Sequence, residues 1–166
     1  MRNVLIKVDE ILYRAEICIV VPAMVVMILV AFGQVMGRYF FNYAPAWCEE
    51  MARYLFIWVV FIGAPLGVSA REHMALRVLV DRLPDSRRAV CNFCIYAVAI
   101  VFLASLTWQG IAIMIRTIHQ VSPTLEISMR WVYAAIPIGS SLMLWHLLIS
   151  LLRTRFADHP LFSSKG

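Results

Sequence analysis

The sequence predicts an all-α membrane protein with four transmembrane helices and an N-terminal amphipathic interfacial helix, both termini cytoplasmic. Three observations lead there. The chain of 166 residues is 62% hydrophobic and 15% charged, with a mean hydropathy of +0.79, far too apolar for a water-soluble domain. Its apolar residues gather into four runs, each close to or above the roughly 20 residues that a helix needs to cross a hydrocarbon core. Four spans put both termini on one side, and that side carries eleven Lys and Arg residues against Arg38, Arg53, Arg116 and Arg130 on the other. Such an excess marks the cytoplasmic face.

The whole chain reads as a single membrane domain. Residues 1–16 place Val4, Leu5, Val8, Ile11, Leu12 and Ala15 at helical spacing, with Arg2, Lys7, Asp9, Glu10, Arg14 and Glu16 mostly on other faces. This predicts a helix lying in the membrane interface. It is a poor signal peptide, because acids are mixed into its basic start and no A-x-A site follows. Residues 17–36 form the first span, with Pro22 near its beginning, where proline does least damage. Gly33 and Gly37 give it a small-xxx-small site beside Gln34.

Residues 46–70 form the second span, with an amphipathic start. Glu50 and Glu49 stand three and four residues before Arg53, the spacing at which side chains meet on a helix surface. No charge follows from Tyr54 to Ala70. At 100° per residue, Arg53, Val60, Gly63 and Gly67 all fall within about 40° of Glu49, a stripe that suits another protein helix better than lipid. Glu49, Glu50 and Arg53, with Arg38 emerging on the same membrane face, are expected to form a closed ion network there. Trp47 fits the aromatic belt at that boundary.

Residues 71–88 make a basic cytoplasmic loop, with Pro84-Asp85-Ser86 as its turn signal. Residues 89–115 form an overlong third span that implies tilt. Residues 116–130 are the outer loop, turning at Ser122-Pro123-Thr124, and residues 131–152 form the fourth span, containing Pro137, Gly139, Ser140, Ser141 and His146. Residues 153–166 are a short polar cytoplasmic tail.

Several of these segments share a pattern. Arg38-Tyr39-Phe40, Trp47, Glu49-Glu50, Arg53-Tyr54, Phe56-Ile57-Trp58, Gly63-Ala64 and His73 resemble the small membrane (Q-type) subunit of tripartite ATP-independent periplasmic (TRAP) transporters. So do Val80-Asp81, Leu83-Pro84 and Arg87 in the loop, and Ser122-Pro123, Trp131, Tyr133 and Ile136 to Gly139 beyond it. The resemblance covers nearly all of residues 33–140 and departs at Glu126, where the family pattern carries a small or neutral residue. It implies a secondary transporter of the inner membrane, in which a large multi-span subunit carries the substrate and sodium sites. A periplasmic substrate-binding protein delivers an organic acid to it, and the outer loops are periplasmic. His73 and Asp81 are then expected to make cytoplasmic-loop contacts.

The residues themselves exclude other classes. Basic residues are scattered between apolar runs and form no patch for nucleic acid. Cys91-x-x-Cys94 lacks a second pair and lies where a span begins, so it reads as ordinary membrane residues. No base, nucleophile and orienting group converge, so no enzyme is expected. His146 stands alone within a span, which gives no facing pair of histidines for a haem, and no cofactor is expected. A self-sufficient transporter needs ionisable groups at the midplane beside a broken helix. Only Gly63-Ala64-Pro65-Leu66-Gly67 suggests a break, and nothing charged accompanies it. The reading is a subunit that scaffolds a larger transport subunit among membrane lipids. The alternative is a small transporter that dimerises through Gly33/Gly37 or Gly63/Gly67.

Overall fold

The computed structural model of the protein describes residues 2–43, 45–71 and 85–157, with side chains described over 7–43, 45–67, 90 and 93–151. Its helices are α1 (Arg2–Phe40), α2 (Ala46–Arg71), α3 (Asp85–Arg116), α4 (Met129–Tyr133) and α5 (Ala135–Ala157). Among the described residues, four stretches are long and apolar enough to cross a membrane: Lys7–Phe40, Ala46–Gly67, Phe93–Arg116 and Met129–Leu151.

α1 is one uninterrupted helix of 39 residues where an interfacial helix followed by a separate span was expected. No glycine or proline stands between Arg2 and Pro22 to separate the two. At 1.5 Å per residue it is roughly 58 Å long, so it extends well past a hydrocarbon core of about 30 Å. Its far end closes on itself: the Gly37 carbonyl accepts from the Phe41 N–H at 3.0 Å and the Tyr43 N–H at 3.1 Å. Asn42 takes φ 54°, a left-handed conformation that Asn tolerates. A Cβ on Gly37 would come within 2.8 Å of the Tyr43 carbonyl oxygen, while one on Gly33 would meet nothing within 4 Å. Gly37 therefore serves its own turn, and the Gly33/Gly37 pair joins no helices among the described residues.

Helix breakage also falls elsewhere than expected. α2 continues through Pro65, which is fully buried. The interruption comes at Ala134, between α4 and α5. Pro137 has no N–H to give the Tyr133 carbonyl, and its ring crowds that oxygen.

The helices pack in the order α1, α2, α5, α3, each against the next, with α1 also reaching α5. Each interface of that row contains a glycine. A Cβ on Gly63 of α2 would stand 3.6 Å from Val20 Cγ1 of α1. One on Gly110 of α3 would stand 2.9 Å from both Ile136 Cγ2 and Pro137 Cδ of α5. One on Gly139 of α5 would overlap the Phe61 carbonyl oxygen of α2 and lie 2.7 Å from its carbon. Lipid removes the hydrophobic drive between helices, so close backbone approach and polar links must hold them together. Thr107 and Ser140 supply one such link, a hydroxyl pair 2.8 Å apart between α3 and α5. Within an 18-residue apolar stretch of each span, half of the residues are buried in α4–α5, against 6% in α1 and 11% each in α2 and α3. The outer helices therefore present apolar faces, among them Leu29, Phe32, Val98 and Phe102, to whatever surrounds the chain.

The connection from α3 to α4 is built rather than loose. Val121 bridges Ser128, the Ser122 N–H donates to the Ile127 carbonyl at 2.9 Å, and the Met129 N–H donates to the Gln120 carbonyl at 2.8 Å. Glu126 sits at the tip with φ 54°, where a residue without a bulky Cβ is less strained.

Candidate functional site

Two clusters of polar residues stand out, one at the head of α2 and one between α1 and α5. The first opens α2. The Pro45 carbonyl accepts from the Cys48 N–H at 3.1 Å, and Glu49 lies in the first turn, where its charge complements the helix N-terminus. Arg53 Nη2 donates to Glu49 Oε1 at 2.8 Å, with both side chains more than half exposed, 61% and 65%. A pair so solvated contributes at most about 1 kcal/mol to this chain's own stability.

Glu50 does not join them. One residue further round the helix, it faces the α3–α4 loop, where its Oε2 accepts from Ser122 Oγ and, at 3.0 Å, from the Leu125 N–H. Arg38 is exposed and, among the described residues, pairs with neither glutamate. The expected closed network of Glu49, Glu50, Arg53 and Arg38 is thus corrected to one surface pair and one carboxylate that clamps a loop. Neutral donors from a segment more than seventy residues away satisfy the Glu50 carboxylate in place of a guanidinium. An open cleft of about 550 Å³ separates the loop from α2, lined by Arg53, Tyr54, Ile57, Gln120, Pro123 and Tyr133. Replacing Glu50 by Ala is expected to speed hydrogen exchange at the Leu125 amide several-fold and to leave α5 unchanged. Glu49→Ala, read by the same mass-spectrometric exchange, should do neither.

The other residues of the expected stripe divide. Val60 is 44% exposed, and a Cβ on Gly67 would meet nothing within 4 Å, so with Glu49 and Arg53 they line the free side of α2. Trp47 is 45% exposed at the head of the helix. Gly63 instead faces α1. His73 and Asp81 lie outside the described residues.

The second cluster was not expected. Asp9 and Glu16, read as lying mostly off the apolar face of an interfacial helix, are buried against His146, with 6%, 3% and 3% of their surfaces exposed. Asp9 Oδ1 lies 2.7 Å from His146 Nδ1, and Glu16 Oε1 lies 3.0 Å from Nε2. Titratable groups therefore do converge in this chain. The first turns of α1 are held to α5 through polar contacts. A sequence signal existed: residues seven apart on a helix share a face, and a lone histidine in an apolar span needs a partner. Among the described residues, no group of three His, Cys, Asp or Glu side chains could hold a metal ion. Cys18, Cys48 and Cys94 are free.

Comparison with known proteins gives these features a context. Residues 27–156 match the model of the DctQ component of tripartite ATP-independent periplasmic transporters. The C4-dicarboxylate TRAP transporter small permease protein DctQ of Rhodobacter capsulatus is 33% identical over 104 residues, 61% of this chain and 46% of that protein. The sialic acid TRAP transporter small permease protein SiaQ of Vibrio cholerae is 25% identical over 139 residues, covering 84% of this chain and 80% of its own length. The isethionate TRAP transporter permease protein DctMQ of Oleidesulfovibrio alaskensis is 28% identical over 136 residues, 77% of this chain but 21% of that protein. This chain thus spans about a fifth of the isethionate permease and under half of the C4-dicarboxylate protein.

Proposed function

The chain belongs to the DctQ family of TRAP transporter small permease subunits, and from that membership we propose that it scaffolds a large membrane subunit for binding-protein-dependent uptake of an organic acid. It is a multi-pass inner-membrane protein and not an enzyme. The observation that carries the scaffold reading is the match to a fifth of the isethionate permease DctMQ, in which a sequence of this kind is part of a much longer permease. The partner, in this reading, binds the substrate and the coupling sodium, and the ion gradient drives symport. Relatives named for C4-dicarboxylate, sialic acid and isethionate support an anionic organic acid as the substrate class.

The excess of basic residues beside the termini supports a cytoplasmic placement of both. The head of α2 and the Glu50–Ser122 loop then face the periplasm. The free side of α2, with Trp47, Glu49, Arg53, Val60 and Gly67, supports contact with the large subunit, since it sets an ion pair above small and apolar residues. His73 and Asp81 are assigned to contacts on the cytoplasmic side.

The test is to express the chain alone, and together with a large subunit and a binding protein encoded beside it, and to follow uptake of labelled C4-dicarboxylate, sialic acid and isethionate. Uptake is expected only with all three components. Accumulation by vesicles holding this chain alone under a sodium gradient would overturn the reading. Within the complex, Arg53→Ala is expected to lower recovery of the large subunit by affinity co-purification several-fold more than Arg77→Ala. Equal recovery would remove the α2 surface from the interface.

A further inference from the structure

A proton count at the buried cluster leads beyond scaffolding. Carboxylate oxygens only accept hydrogen bonds, and a neutral imidazole has one N–H and one bare nitrogen. Here both ring nitrogens of His146 face carboxyl oxygens, at 2.7 and 3.0 Å. Both contacts are hydrogen bonds only when the cluster holds one proton more than two carboxylates and a neutral ring supply. That proton sits either on the second ring nitrogen or on a carboxyl facing it.

Without it, a nitrogen lone pair would point at a carboxylate oxygen, and the cluster's charge would rise from −1 to −2. All three side chains are buried, where water cannot absorb such a change. Glu16 Oε2 adds an independent mark: it is buried with no hydrogen-bond partner, so the carboxylate relies on the His146 side for its stabilisation. α2 has no ionisable residue between Tyr54 and Arg71, and α3 has none between Tyr96 and Arg116. On α1, Glu10 and Arg14 pair with each other at 2.7 Å on the exposed side. The side chains of Arg153 and Arg155, next along α5, lie outside those described.

We propose that Asp9, His146 and Glu16 form a proton-binding site within the small subunit, and that the bound proton fastens the first turns of α1 to α5. The ligand is the proton itself, shared by a carboxylate–imidazole–carboxylate row. The site is separate from the exposed α2 surface assigned to the large subunit, so it stands whether or not that assignment does.

The test uses the full chain in lipid nanodiscs, labelled with ¹⁵N-histidine, with His73, His119 and His159 replaced by Gln so that His146 is the remaining histidine. Two protonated ring nitrogens are expected. One bare nitrogen together with a carboxylic-acid infrared band that is lost in Glu16→Gln or Asp9→Asn also supports the site. One bare nitrogen without such a band would overturn it. As a second variant, Asp9→Asn/Glu16→Gln supplies two neutral amides and is expected to leave one ring nitrogen bare with no acid band. Two protonated nitrogens persisting in that double variant would equally overturn the proposal.

Discussion

Replacing His146 by Leu is expected to destabilise the chain by about 3 to 5 kcal/mol, the size of effect seen when one member of a buried ionic group is removed. The loss comes less from the missing contacts than from what they leave behind. Asp9 and Glu16 sit on one face of α1, two turns apart, and both side chains are closed off from water. With the imidazole gone, both carboxylates lose the partner they share, and the first turns of α1 must separate from α5 to rehydrate them. A compensating experiment isolates this cause. Asp9→Leu/Glu16→Leu/His146→Leu removes the stranded charge together with its partner and should recover most of the loss, since apolar replacements of whole buried ionic groups are often neutral or better. Reversible unfolding in mixed detergent micelles measures both. A single replacement within 0.5 kcal/mol of the parent on the scale of ordinary surface changes, or a triple replacement no better than the single one, would show that the cluster does not carry the α1–α5 contact.

What the sequence made legible, and what it did not, divides along a physical line. Four apolar helices could be read from run lengths, because spanning a hydrocarbon core is a property of each segment alone. The Glu49–Arg53 pair could be read from spacing, because both partners lie on one helix four residues apart. The partner of Glu50 could not, since Ser122 and Leu125 reach it from a loop whose shape depends on the Val121–Ser128 bridge. Periodicity says which residues share a face. It does not say what meets that face, and Asp9 and Glu16, set off the apolar face of α1, gave no sign of His146 for that reason. The glycines show the same limit. Gly33/Gly37 and Gly63/Gly67 are alike in spacing, yet Gly63 meets another helix, Gly37 meets its own turn, and Gly33 and Gly67 would meet nothing within 4 Å. Proline position misled in the opposite sense. Pro65 is accommodated within α2, whereas Pro137 coincides with the break before α5.

The contrast between glycines gives the second large effect, at Gly139. There the backbones of α2 and α5 approach so closely that an added Cβ would overlap the Phe61 carbonyl oxygen and stand 2.9 Å from Phe61 Cβ. Neither obstacle is the flexible end of a side chain. Relief requires moving α2 away from α5, and α5 is the helix against which both α2 and α3 pack. Gly139→Leu is therefore expected to destabilise the chain by about 3 kcal/mol or more, at or beyond the upper end of ordinary overpacking. Separation of the helices would also disturb the nearby contact of Gly110 with Ile136 and Pro137. Gly67→Ala, at an open position on α2, carries no such clash and is expected to be neutral or to gain up to about 1 kcal/mol from helix propensity. The two substitutions measured side by side in the same micelles separate close approach from helix propensity. If Gly139→Leu proves as mild as Gly67→Ala, α2 and α5 do not meet backbone to backbone. If Gly67→Ala leaves this chain's stability unchanged but lowers recovery of the large subunit, the open side of α2 is where that partner packs.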